Sequence, residues 1–342
     1  MNKLLLALLL FLLSFSWIKV TASDSCPASF PWKAQWINTE RCQSATNTWL
    51  IYRKSFAVTN VPNQLIARIA ADSKYWLWIN DQLVIFEGGL KRGPSPSGTY
   101  YDPVDIAPYL TKGSNTIAIL LWHFGKDGFS HINSGKAALL FEAIAPGLEI
   151  VSDASWQCAL YEAYQNTEAP FPNYRMPESN IRFDARQAIT NWNRTSFEGS
   201  LPGAVCVGKA GKAPFGDLVE RPIPQWKNSG LLSYVSVRES LRGDTLFCRL
   251  PYNAQITPYL KVEAEAGKTI HIRMDNYEGG SERNVRAEYI TREGEQEYES
   301  YGWMNGHEVY YIIPEGVKVL DVKYRETGYN TDLAGSFHCD DP

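Results

Sequence analysis

The stretch from Ala71 to Leu121 sets what this chain can become. Tyr75, Leu77 and Ile79 alternate with Trp76 and Trp78, and side chains of period two point to opposite faces of a strand. Asn80-Asp81 follows, a pair that accepts the positive φ angles of a tight hairpin. Leu83 to Phe86 then return as the partner strand. A Gly/Pro/Ser-rich loop runs from Gly88 to Gly98. The segment 100–110 reads as a short turn with apolar anchors, and Lys112-Gly113-Ser114-Asn115 turns the chain into an apolar strand, Thr116 to Trp122. This predicts one half of an antiparallel sandwich whose loops gather at the sheet ends.

The same grammar continues. Thr257 to Ala264 alternates, Glu265-Ala266-Gly267-Lys268 turns, and Thr269 to Asp275 returns. Further short strands are expected at 286–292, 297–301, 317–324 and 333–339, spacing that predicts a sandwich. Between these regions periodicity weakens and Pro, Asn and Gly accumulate, with one short helical turn expected near Ala185 to Trp192. A total of 342 residues suggests two or three domains. The division is a first sandwich over 24–160, an irregular linking segment over 161–227, and a second sandwich over 228–342. The fold class is all-β, two antiparallel β-sandwiches joined by an irregular segment.

Residues 1–22 read as a secretory signal peptide: Lys3, then an apolar run from Leu4 to Ile18, then Val20-Thr21-Ala22 for cleavage. The mature protein is expected to be periplasmic or secreted, with no membrane attachment after cleavage. Six cysteines in an exported chain permit disulfides. Cys26–Cys42 is the most local pair and Cys158–Cys206 a second; buried free thiols are the alternative. A net charge of −4 gives no basic surface for nucleic acid. The 11 Trp and 19 Tyr suit sandwich cores or stacking platforms for sugars.

Three groups of segments carry a resemblance. They are Ala34 to Ile37 with Tyr52 to Phe56, the run from Tyr75 through Asp81 to Trp122, and 285–314, which includes Val285 to Ser300 and Gly302 to Pro314. Together these resemble the front part of the bacterial α-L-rhamnosidases, a glycoside hydrolase family, over nearly all of the mature chain. The resemblance implies a galactose-binding-like first sandwich and a concanavalin-like, jelly-roll second one. Asp81 stands where the family usually has Gly. It also implies a catalytic (α/α)6 barrel after these sandwiches, with acidic residues as acid and base. The sequence shows no long amphipathic helical pattern, so no catalytic residue of the family transfers to a position here. The expectation is a non-catalytic front part whose missing C-terminal barrel acts on rhamnose-containing carbohydrate. The alternative is a stand-alone carbohydrate-binding protein.

Among acidic residues, Glu293, Glu295, Glu297 and Glu299 would share one strand face. Glycosidases need paired carboxyls, but a solvated face balanced by Arg283, Arg286 and Arg292 accounts for the run. The five histidines show no metal spacing. Sugar sites join an aromatic face to carboxylate and amide groups. At one end of the first sandwich Asp72, Trp122, His123 and Asp127 fit that description. The competing roles are a turn residue bonding local backbone for Asp72 and core packing for Trp122. Calcium, which some family members use in holding rhamnose, would need about six to eight oxygen ligands, and no dense Asp/Asn loop supplies them. Exported protein should begin near Ser23; N-terminal sequencing that returned an intact Met1 would contradict the leader.

Overall fold

Short alternating runs become strands along nearly the whole chain. The computed structural model describes residues 31–89, 98–128, 131–167, 181–275 and 286–331, with 335, 338 and 339. The leader 1–22, Cys26, residues 90–97 of the Gly/Pro/Ser loop, Arg283, Val285 and most of the stretch 333–339 lie outside the described residues. The first strands are β1 (Gln35–Asn38), β2 (Thr48–Val58), β3 (Ile66–Asp72), β4 (Lys74–Ile79), β5 (Gln82–Gly89), β6 (Thr99–Asp105), β7 (Gly113–His123), β8 (Ala138–Ala145), β9 (Leu148–Val151) and β10 (Gln157–Leu160). Next come β11 (Tyr164–Asn166), β12 (Ile181–Asp184), β13 (Val205–Lys209) and β14 (Leu218–Glu220). The last are β15 (Ser236–Glu239), β16 (Thr245–Ala264), β17 (Thr269–Met274), β18 (Ala287–Ile290), β19 (Gly294–Glu299), β20 (Met304–Ile312) and β21 (Val317–Glu326). Two 3-10 turns lie at Ala107–Tyr109 and Ala185–Gln187. No helix among the described residues is long and apolar enough to cross a membrane.

The strands form three sheets. One runs β13-β1-β8-β3-β6-β14, with β9 on β8; the second runs β10-β2-β7-β4-β5. The third runs β11-β12-β18-β17-β20-β16-β15, with β19 and β21 also on β16. The all-β class predicted from periodicity is therefore present. The hairpin turn is where it was expected: Asn80 and Asp81 take φ of 47° and 71° between β4 and β5. The segment 100–110, expected as a turn, mostly joins β6, because its backbone pairs with β3 from Ile69↔Asp102 to Ile66↔Asp105.

Two cores flank the five-stranded sheet. Tyr75, Leu77 and Ile79 of β4 pack with Tyr52, Ile119, Ile69 and Phe141, between that sheet and the seven-stranded one. Trp76 and Trp78 point the other way, with Trp49 and Trp122, into a core shared with Leu260, Ile270, Tyr289 and Tyr311 of the nine-stranded sheet. All six residues of β4 are buried. The middle sheet thus has no broad solvent face, which explains why its strands read as nearly continuous apolar runs.

The stretch 161–227, which lacks legible periodicity, contributes four strands. β11 and β12 extend the nine-stranded sheet, and β13 and β14 flank the seven-stranded one. Each has three to five residues, too few for alternation to show. Two pairings involving them, β12 with β18 and β14 with β6, are parallel. Further anchors hold this stretch to the middle sheet. Arg53 donates to the Trp192 carbonyl and, at 2.9 Å, to that of Arg194. The Asp81 carboxylate accepts from the Thr195 amide at 2.5 Å and its hydroxyl at 2.9 Å. Asp81 therefore clamps this stretch to the hairpin tip.

The Cys158–Cys206 pairing does not form. Cys158 is a buried thiol and Cys206 an exposed one, on β10 and β13 of different sheets. Cys42 is a free thiol as well. Because Trp76 stacks into the core joining the two halves, Trp76→Ala should cost roughly 3–5 kcal/mol and lower one cooperative transition as a whole. Calorimetry showing two transitions with only one displaced would refute this coupling.

Candidate functional site

At one end of the middle sheet, the end of β3, the start of β4 and the end of β7 meet. This brings Asp72 and His123 together. The His123 Nδ1 lies 3.2 Å from Asp72 Oδ1 and 3.1 Å from the Asp72 carbonyl. Both are acceptors, so Nδ1 carries the proton. The Ser134 amide donates to Asp72 Oδ2 at 2.8 Å, and the Ser73 hydroxyl bridges Asp72 Oδ1 and the Phe124 amide. Burial works to raise the Asp72 carboxyl, but the His123 bond and charge and the Ser134 N–H leave it below the usual carboxylate value.

Asp72 and His123 are both wholly buried. Trp122 faces the opposite side of β7, stacks on Trp49 at 4.4 Å and donates its indole N–H to Asn47 Oδ1 at 2.6 Å. Asp127 is the one exposed member of the four; its Oδ1 accepts from the Asn133 amide at 2.7 Å. The structure therefore joins Asp72 to His123 directly, while Trp122 packs into the core on the other face and Asp127 is exposed and bonded to Asn133.

Sequence reasoning missed the group beneath. Lys74 is fully buried, with its ammonium 3.2 Å from Glu87 Oε2. It lies 4.5 Å from the ring centre of Trp303, 5.0 Å from Trp122, and 5.6 Å from both Trp76 and Phe124. Trp303 donates its indole N–H to the same Glu87 oxygen at 2.8 Å. The ammonium sits in ion-pair range of Glu87 but off hydrogen-bonding angle, and Glu87 Oε1 has no hydrogen-bond partner among the described residues. The aromatic faces compensate the buried cation through their quadrupoles. The signal in sequence was a lysine inside an apolar strand, but its partners lie far along the chain.

Chemically this is a closed assembly. The Asp72 and Glu87 carboxyls are buried, and the Ser73 hydroxyl is engaged on both sides. The acidic run is open but paired otherwise than expected. Glu295 binds Lys261 at 2.6 Å, Glu297 accepts from Tyr259 at 2.7 Å, and Glu299 holds Arg325 through both oxygens at 2.7 and 3.1 Å. Arg286 instead pairs with Glu288 at 2.7 Å, and Arg292 donates to backbone carbonyls. The counter-charges come from adjacent strands because β19 lies beside β16. Among the described residues no group of three or more His, Cys, Asp or Glu is arranged to hold a metal ion.

No protein family model matches the chain, and no curated protein does. Solved structures do. A GH78-family rhamnosidase of Bacillus sp. GL1 superposes with a TM-score of 0.78 at 17% identity, covering 91% of this chain and 57% of that one. An α-L-rhamnosidase from Dictyoglumus thermophilum gives 0.68 at 19%, covering 91% and 37%. The Streptomyces avermitilis α-L-rhamnosidase complexed with L-rhamnose gives 0.61 at 16%, covering 83% and 29%. The chain thus shares their fold while spanning less than two thirds of each.

The depressed Asp72 carboxyl fixes the sign of a pH effect. Its stabilisation is present above the ordinary carboxylate value and is lost as pH falls through the lower folded-state value. Asp72→Asn should cost roughly 1.5–3 kcal/mol at neutral pH, and the deficit should shrink below about pH 4. Urea unfolding at pH 7 and pH 3 measures it; an equal deficit at both would show that the charge is irrelevant.

Proposed function

We propose that this chain is the front, non-catalytic β-sandwich part of an exported α-L-rhamnosidase-like glycoside hydrolase. In this reading the stacked sandwiches form a rigid base for a catalytic (α/α)6 barrel and help position rhamnose-containing glycans. The observation that supports it most is the pattern of coverage: the fold likeness extends over 91% of this chain yet takes in 57% of the Bacillus enzyme and less of the others. Closure of the Asp72–His123 and Lys74–Glu87 pairs favours a supporting role over chemistry within the sandwiches. The segment motifs at 75–122 and 285–314 point to the same family, and the apolar leader at 1–22 supports export.

Two measurements test this. The purified chain should not release p-nitrophenol from p-nitrophenyl α-L-rhamnoside above a heat-killed control. Turnover abolished by Glu295→Gln or Glu297→Gln would place catalysis in the sandwiches and overturn the proposal. The gene beyond codon 342 should continue in frame into paired amphipathic helices; a stop codon there would favour a stand-alone carbohydrate-binding protein.

A further inference from the structure

β15 is the last strand of the nine-stranded sheet, and among the described residues it pairs with β16 alone. Its four residues, Ser236–Glu239, are all exposed. Val237 stands opposite Cys248 and Glu239 opposite Leu246, and just beyond them the Ser240 amide donates to the Thr245 carbonyl at 2.8 Å. Bonded and non-bonded pairs alternate along an antiparallel ladder. Ser236, Arg238 and Ser240 therefore turn their backbone groups to β16, and Val237 and Glu239 turn theirs to the open edge.

Val237 and Glu239 also share the core-facing side of the sheet, because Cys248 and Leu246 opposite them both pack against the core. Yet Val237 is 50% exposed, so the facing layer does not cover it. A cleft of about 550 Å³ opens there, walled by Val237, Leu246, Ile313, Val317, Val319 and Val322. Tyr234 in the same wall is held, its hydroxyl 2.8 Å from that of Tyr311 and donating to the Lys323 carbonyl at 3.2 Å. Little ordering entropy is lost when such a wall is filled.

The charges select what fills it. Glu239 lines the cleft, and its carboxylate has no ion-pair or hydrogen-bond partner among the described residues. Arg238, on the other face, is already matched: it lies 3.1 Å from Glu308 and 4.8 Å above the Phe247 ring. A second copy of this strand is a poor match. Joining the outward groups of Val237 to those of Glu239 in another copy would set Arg238 directly against itself, and like charges opposite one another are destabilising. We propose that β15 accepts an extended peptide segment of a partner protein as an added antiparallel strand. The partner's side chain opposite Val237 is apolar and enters the cleft, the one opposite Glu239 is Lys or Arg, and the one opposite Arg238 is acidic or uncharged. This rests on the strand edge alone and is independent of the function proposed above.

The test is fluorescence polarisation of the full chain with two labelled, end-blocked peptides, Thr-Lys-Glu-Val-Thr and its charge-exchanged form Thr-Glu-Lys-Val-Thr. The first should bind about fivefold more tightly than the second, and Glu239→Lys should reverse that order, a gain of binding that misfolding cannot imitate. Val237→Pro, which removes an outward amide at a position where an edge strand tolerates proline, should abolish binding of both. In the wild type, bound peptide should slow hydrogen exchange across 236–240, read by mass spectrometry. Equal binding of the two peptides, an order that Glu239→Lys leaves unchanged, binding without protection of 236–240, or no binding at all would each overturn the proposal. Sedimentation showing self-association that Val237→Pro removes would assign the edge to a second copy and overturn it too.

Discussion

Burial of the five-stranded sheet on both faces is the constraint on which the rest of the structure depends. Period two sends Tyr75, Leu77 and Ile79 into one core and Trp76 and Trp78 into the other. A sheet buried on one face would have relieved one set of side chains into water. Here neither set has that freedom, so two further sheets must be supplied. They come from distant parts of the chain, and the stretch 161–227 gives strands to both.

A doubly buried sheet makes any charge on it expensive. Lys74 stands on that sheet at full burial. An unpaired ammonium there would carry a desolvation penalty of several kcal/mol. Glu87, from the hairpin partner strand, supplies the countercharge, and Trp303 ties that carboxylate to the second half of the chain. Removing one member of such a buried pair typically costs about 3–5 kcal/mol. The observed packing places Trp303 over the ammonium and on its countercharge, so the pair links the two halves of the chain. Asp72 and His123 serve the same end of the sheet in a simpler way, joining β3 to β7 across 51 residues of chain.

What was legible in the sequence was local. Alternation at 75–79 and the Asn80-Asp81 turn specify the hairpin, and the structure shows positive φ at both turn residues. The pairing of Asp72 with His123 was within reach because both sit at strand ends on the same edge of that pattern. Alternation could place Trp76 and Trp78 on the face opposite Tyr75, but not say that this face is also buried. That depends on strands more than a hundred residues away. Lys74 and Glu87 were hidden for the same reason: Trp303 lies 216 residues from Glu87. The strands in 161–227 were hidden by their brevity, and the partners of Glu295 and Glu299 by a register that only the folded sheet reveals.

The short strands of 161–227 have a consequence for where this chain could be divided. The boundary after residue 160 looks natural on paper, but the first sheet borrows β13 and β14 from beyond it. A protein ending there would leave β1 and β6 as open edges, ready to pair with other chains. It would also turn Trp49, Trp76, Trp78, Trp122 and Phe86 towards water as one continuous apolar face, a surface that invites aggregation. Sequence continuity and structural completeness part company here: the first sheet is finished only by strands that follow the apparent boundary.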